Sequence, residues 1–371
     1  MRSMGFEGVR TTHVGSLPRP PNLSPQNLDK AIEDVVRMQV EIGLDEVNDG
    51  EYRRQSFISD LTELPGFEVT ELYWENSAGD KRFIPVILRT IGYDPSKPIL
   101  AREVEGIKRA LEKLGVRRRI KVTILAPSFM ARVYPDPDWM PARPRELIDK
   151  YRQQVRQYYP TIDDYLDDVK KIIINEVRAA FNAGTDVVQF DAPDILQFDV
   201  YGEYNPDKDR AKERVRRAVE LNNEVLSKLP AEHLEIHSCW GNFNNSQFNT
   251  LGHYDDALPE LYDLKVGVLG PFEVFDGIRD YEELRYFKQY AVPRDKKLAL
   301  GIVSVKSRNV EPVEVIRRRY EAALEVVNGD PNKLIVAPGC GFASSATNPV
   351  QTLESARRKL RNMVLAVKGQ Q

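Results

Sequence analysis

The chain has 371 residues, 42% of them hydrophobic and 29% charged, and its 53 Lys plus Arg against 56 Asp plus Glu leave a net charge of -3. That composition excludes wholesale disorder and a fibrous architecture, and the near-balance of charge gives no global field to draw the chain to nucleic acid or to an anionic membrane. The expected partner is a small molecule, and the expected location is the cytoplasm, because no apolar run approaches the roughly 20 residues that span a bilayer and the N-terminus lacks a secretory pattern.

Strands are expected first over residues 9–14 (VRTTHV) and 44–49 (LDEVND), flanking an amphipathic helix from about residue 28 to 42. Residues 66–94 alternate around a Gly79-Asp80 turn like a long hairpin, and residues 128–160 are rich in Pro, Tyr and Arg. Both read as insertions over the rim of a barrel. From about residue 100 onward, β-rich runs alternate with longer amphipathic ones. The runs 120–126, 186–191, 234–239, 265–270, 298–304 and 334–340 are dense in Val, Ile and Leu, as strands covered on both faces are. Ile316, Tyr320, Leu324 and Val327 recur at helical spacing behind Pro312. In the last helix Leu353, Ala356, Leu360, Met363, Val364 and Val367 form the apolar stripe, with Arg357, Arg358, Lys359 and Arg361 expected in solvent. Eight βα units give an α/β fold, a TIM (β/α)8 barrel with a hairpin insertion near 66–94 and a further insertion near 128–160. No linker divides the chain, so residues 1–371 are expected to form one domain.

His237 and Cys239 stand two apart on a predicted strand, which points both side chains to one face. Cys340 ends another predicted strand and is followed by Gly341, which permits close approach of a ligand. Both positions are C-terminal strand ends, where barrel enzymes place their active sites. These are the chain's two cysteines, too few for a disulfide framework. One imidazole and two thiolates suit Zn²⁺, which takes nitrogen and sulfur tetrahedrally and keeps one exchangeable position when catalytic. The same pattern also arises where two cysteines fill a core beside a hydrogen-bonded histidine, and the wider sequence decides between the two.

His237-Ser238-Cys239-Trp240-Gly241-Asn242 together with Pro338-Gly339-Cys340-Gly341 resembles the zinc motif pair of the cobalamin-independent methionine synthase family, in its C-terminal catalytic domain. Further blocks agree in order: His13 to Pro18 resembles the family's first-strand Gly-Ser block and Asp49 to Arg54 its Gly-Glu block. Val188 to Pro193 resembles the Asp-Glu-Pro block after the fourth strand, and Gly301 to Val310 the block after the seventh. The resemblance covers nearly the whole chain from about residue 9. It implies a TIM barrel in which zinc activates a thiol for alkylation, with His237, Cys239 and Cys340 as ligands and Glu273 as the fourth. It also implies that Ser16 contacts an amino-acid carboxylate while Glu51 and Asp191 bind its ammonium, which favours homocysteine as the thiol. No catalytic residue is implied beyond the metal centre.

The sequence also departs from the family. Folate-using members carry a second barrel, and a Trp near the position of Ala126-Pro127 that resembles a stacking surface for the pterin. Here that Trp is absent, 371 residues suit the catalytic barrel alone, and Ala192 replaces an acidic residue, so a methylcorrinoid protein joins methylfolate as an expected donor. Related single-barrel epoxyalkane:coenzyme M transferases open an epoxide with a zinc-bound thiolate. Arg10, Arg19, Arg53 and Arg54 keep a sulfonate thiol in view, whereas Glu51 with Asp191 suits an amino acid. A third reading is a non-catalytic barrel whose zinc is structural. Among minor candidates, His13 reads as a loop proton donor or a hydrogen-bonded strand residue, Asp194 as a pocket residue or a helix N-cap, and Trp240 as packing. His233 and His253 carry no motif.

Overall fold

Ten runs rich in aliphatic and β-branched residues form strands in a computed structural model that describes residues 8–347 and 351–369. In chain order they are β1 (Arg10–Thr11), β2 (Glu46–Val47), β3 (Phe67–Glu75), β4 (Lys81–Ile87), β5 (Arg119–Leu125), β6 (Val187–Asp191), β7 (Leu234–Ser238), β8 (Val268–Glu273), β9 (Lys297–Val303) and β10 (Leu334–Pro338). Eight of them pair in parallel in the order β1-β10-β9-β8-β7-β6-β5-β2. Asp45 bridges the remaining seam: its N–H donates to Thr11 O (3.0 Å), and its carboxylate accepts from Thr11 N (2.8 Å). The sheet is thereby wound into the expected TIM barrel.

Helices Leu28–Ile42, Ile99–Leu114, Ile162–Ala183, Ala211–Leu226, Tyr281–Gln289, Val313–Val326 and Leu353–Lys368 alternate with the barrel strands. The unit after β7 departs from this plan, with short 3-10 turns at Tyr254–Asp256 and Glu260–Asp263 where the other units carry an α-helix. Residues 241–259 are rich in Gly, Asn and Asp and hold no helical apolar period, so nothing in them favours a long helix.

The two insertions lie where expected and pack together. β3 and β4 pair antiparallel around the turn at Gly79-Asp80, and Tyr73 exchanges backbone hydrogen bonds of 2.9 and 3.0 Å with Arg143 of the second insertion. Trp74, on the inner face of β3, packs edge-on against Phe129 at 5.6 Å between centroids.

Three expectations are corrected. β1 and β2 are far shorter than the six-residue runs read from sequence, because the chain leaves the ladder after Thr12, whose N–H still donates to Val336 O (3.0 Å), and turns toward the barrel mouth. β8 runs three residues later than 265–270, since Pro271 reads as a strand terminator yet sits inside the strand. The register with β9 slips between Leu269 and Phe272, an irregularity at which a residue without an N–H is tolerated. Gly270 makes the same irregularity possible: its φ is 103°, and an added Cβ would lie 2.1 Å from Ala299 O. Lys359 is not solvated but buried, its Nζ donating to Glu311 Oε2 (2.6 Å), Asn309 O (2.6 Å) and Ser304 O (3.0 Å). Its position beside the apolar stripe turns it inward, and the three acceptors replace its hydration.

Charge fills the N-terminal end of the barrel interior. Glu46 accepts from Arg10 (2.7 Å) and Arg119 (3.2 Å), and Lys121 lies 3.6 Å from Glu235. Lys121 then reaches Gln189 Oε1 (3.1 Å), and Gln189 Nε2 donates to Asp191 Oδ1 (2.7 Å), so a polar column rises to the C-terminal mouth. Among the described residues no helix is long and apolar enough to cross a membrane.

Candidate active site

The period of β7 turns Glu235, His237 and Cys239 to one face, while Ser238 faces the other way and donates to Ala192 O (2.9 Å). Cys340 follows β10 by two residues and brings its sulfur to 3.3 Å from that of Cys239. His237 Nδ1–H donates to Pro271 O (2.7 Å), which fixes the tautomer and leaves Nε2 as the free donor atom. The donor atoms of His237, Cys239 and Cys340 all lie within 4.8 Å of one another, and all three residues are buried. A hydrogen bond from Cys239, helped by His237 and Lys306, holds the Cys340 thiol well below its ordinary range, while burial pushes Cys239 up. One oriented imidazole nitrogen and two sulfurs, one biased toward thiolate, fit Zn²⁺ and leave a coordination position over.

Glu273 ends β8 beside this trio but outside the group of mutually close donors. Its Oε1 is ion-paired with Lys306 and its Oε2 accepts from Trp240 N (3.2 Å). Burial pushes its pKa up to about 7 against the pull of Lys306. The Lys306 side chain is only 7% exposed, so the site carries a buried cation next to its sulfurs.

Ser16, Glu51 and Asp191 meet at the same mouth, from the loops after β1 and β2 and the end of β6. Ser16 Oγ lies against Gly341, where an added Cβ would come within 2.2 Å of it, so the glycine lets the two loops touch. Glu51 is one of the few non-glycine residues with a left-handed backbone, φ 58°. Its Oε1 accepts from Thr123 Oγ1 (3.1 Å), and its Oε2 is buried with no partner. Burial raises the pKa of Glu51, and that of Asp191 to about 7. Together with His237, Cys239 and Cys340, these residues line one cavity, walled on its apolar side by Phe57, Trp74 and Phe248.

A family model described as the catalytic domain of the cobalamin-independent synthase matches residues 157–369. The chain belongs to the cobalamin-independent methionine synthase family. It is a methyltransferase of that type. A methionine synthase of Saccharolobus islandicus is 25% identical over 90% of this chain and 87% of its own length. The uncharacterized protein YxjH of Bacillus subtilis is 24% identical, over 96% of this chain and 93% of its own length. In fold the chain resembles the B12-independent methionine synthase of Shewanella sp. W3-18-1 solved with selenomethionine, at 18% identity and TM-score 0.69 over 97% of both chains. It also resembles the putative enzyme of Listeria monocytogenes, at 20% identity and TM-score 0.63 over 96% of this chain and 97% of that one.

Other candidates of this methionine synthase family member find plainer places. His13 is buried, and its Nε2–H donates to Gln39 Oε1 (2.9 Å), the hydrogen-bonded alternative of its two readings. Asp194 stands at the N-cap position before Ile195–Asp199 without a side-chain cap bond and does not line the cavity; it is buried in an ion pair with Arg132 (3.1 Å). Trp240 packs fully buried against Tyr254, as expected. His233 bonds Asp186 O and His253 pairs with Glu283, both away from the cavity. Arg10, Arg53 and Arg54 are paired with Glu46, Asp29 and Glu103, and Arg19 donates to the carbonyls of Glu51 and Arg54. Two buried cations beside the candidate site were missed. Lys306 lies inside the Gly301–Val310 block, and Arg82 alternates on β4 with the exposed Lys81 and Phe83, which sets it on the face shared by Ile84. That period was the available signal.

Proposed function

We propose that the chain methylates the thiol of homocysteine, with zinc as its metal. The observation that carries this reading is the convergence, in one buried cavity, of the His237/Cys239/Cys340 donor set with two carboxylates and a hydroxyl suited to an α-amino acid. His237 Nε2 and the two sulfurs are the proposed ligands, and Glu273, its charge shared with Lys306, is the proposed fourth. Bound zinc supplies a Lewis acid that lowers the pKa of a thiol so that its sulfur is nucleophilic near neutral pH.

The chain's own residues do the rest. Glu51 and Asp191 take the ammonium, and Ser16 Oγ donates to the carboxylate. Burial raises the pKa of both acids, and an arriving ammonium favours their ionised forms. Phe57, Trp74 and Phe248 keep water from the sulfur. The S–C bond forms as the donor's bond to methyl breaks, the thiol proton having left beforehand. Ala126 and Pro127 are buried and offer no aromatic ring to a pterin, which supports a donor other than methylfolate, such as a methylcorrinoid protein. The four arginines that kept a sulfonate in view do not line the cavity, whereas Glu51 and Asp191, which suit an ammonium, do, and their presence favours the amino-acid thiol.

Metal analysis and X-ray absorption test the proposal together. The purified protein is expected to hold stoichiometric zinc, to lose it and its methyl transfer on Cys340→Ser, and to show an added sulfur neighbour at zinc when homocysteine is supplied. Zinc-free protein with unchanged activity in Cys340→Ser overturns the reading. Zinc whose neighbours ignore homocysteine supports the non-catalytic barrel instead.

A further inference from the structure

Four arginines of the described chain are buried, and three of them meet a carboxylate: Arg54 meets Glu103 at 2.8 Å, Arg132 meets Asp194 at 3.1 Å and Arg279 meets Asp276 at 2.5 Å. Arg82 is the fourth. It is 8% exposed, and no ion pair among the described residues includes it. Its guanidinium lies over Phe57 (5.0 Å) and Phe243 (5.7 Å), and Nη2 donates to Ser56 Oγ (2.5 Å). Burial lowers its pKa to about 10 and no nearby acid raises it, so it remains a cation at neutral pH. A buried cation without a counter-ion is costly, and the cost is recovered where a ligand brings the anion.

Arg82 faces the cavity that holds Ser16, Glu51, Asp191 and the sulfurs. The wall joining it to Ser16 is continuous: Asn242 Nδ2 donates to Gly341 O (3.0 Å), Ser344 Oγ donates to Asn242 O (2.5 Å), and Phe57 N donates to Ser344 O (3.2 Å). That wall carries no carboxylate, and the cavity's acids are Glu51 and Asp191. One cation and two acids complement a zwitterion, and the planar guanidinium fork matches an acid group bidentately. We propose that Arg82 receives the acid group of the thiol substrate, so that the β3–β4 hairpin selects thiols that carry an acid group over those that lack one. This rests on reading the cavity as a thiol methyltransferase site.

The test is calorimetry on the zinc-loaded protein with paired thiols: L-homocysteine against 3-aminopropane-1-thiol, and 2-mercaptoethanesulfonate against 2-mercaptoethanol. Arg82→Gln is expected to weaken homocysteine at least tenfold and to leave 3-aminopropane-1-thiol within twofold, with Arg82→Lys between wild type and Arg82→Gln. Equal losses for both members of a pair, or no loss for the member that bears the acid group, overturn the proposal. If wild type prefers 2-mercaptoethanesulfonate to homocysteine, the homocysteine reading fails, while Arg82 stands or falls on whether Arg82→Gln discriminates within the sulfonate pair. If Arg82→Gln does not fold, Arg82→Lys and wild type carry the comparison, and a wild type that shows no preference for the acid-bearing member of either pair overturns it.

Discussion

His13, at the end of β1, is kept neutral by its surroundings. Burial and the nearby Lys121 lower its pKa from 6.5 to about 3. Between those values the unfolded chain binds the proton and the folded chain does not. The stability tied to His13 is therefore complete above pH 6.5 and falls as pH drops toward 3, at about 1.4 kcal/mol per pH unit. Relative to His13→Gln, wild type is expected to lose that much per unit in urea titrations below pH 6.5, and a pH-independent difference refutes the assignment. At the mouth, Glu51 holds a left-handed backbone that costs stability and aims its carboxylate inward. Glu51→Gln and Asp191→Asn are each expected to raise the homocysteine Kd about 10- to 100-fold with Tm unchanged or higher, since each removes a buried acid raised by desolvation. His237 and Cys239 were legible because strand period alone puts them together. Lys306 was not, because a cation in a loop reads as solvated until the fold shows what buries it, and Arg82 offered only the two-residue period of its strand.

At the scale of elements, the β3–β4 hairpin roofs the cavity through Trp74, which is 1% exposed and packs against Phe129 and Phe198. Trp74→Ala is expected to cost about 3–5 kcal/mol in chemical denaturation, the range for deleting a buried aromatic side chain. A cost under 1 kcal/mol places the hairpin off the barrel. The loop after β10 gives a subtler test. Gly341→Ala pushes Ser16 Oγ, the end of a short side chain, so the fold is expected to survive while homocysteine affinity falls severalfold in calorimetry. Hairpin and barrel were both legible because hydrophobic runs and turn residues are local signals. The strand bounds were not: β8 hides a register slip at Gly270-Pro271, and the ends of β1 and β2 depend on partners far along the chain, β10 and β5.

At the scale of the molecule, one hydrophobic cluster runs from Leu17 to Ala366 and includes both hairpin strands. We propose accordingly that residues 1–371 behave as a single domain, expected to melt in one cooperative transition by calorimetry. A chelator is expected to lower that single Tm without splitting it, because a ligand bound by the folded state alone stabilises the whole of it. Two separated transitions refute the one-domain reading. The proposed donors are themselves spread across this unit: His237 and Cys239 stand at the end of β7, Glu273 at the end of β8, and Cys340 101 residues beyond Cys239, past β10. A polypeptide emerging from the ribosome therefore owns a bidentate His-x-Cys arm long before it owns a pocket. Tight metal capture waits for the last strand to dock, which makes retained zinc a readout of finished folding as much as of chemistry.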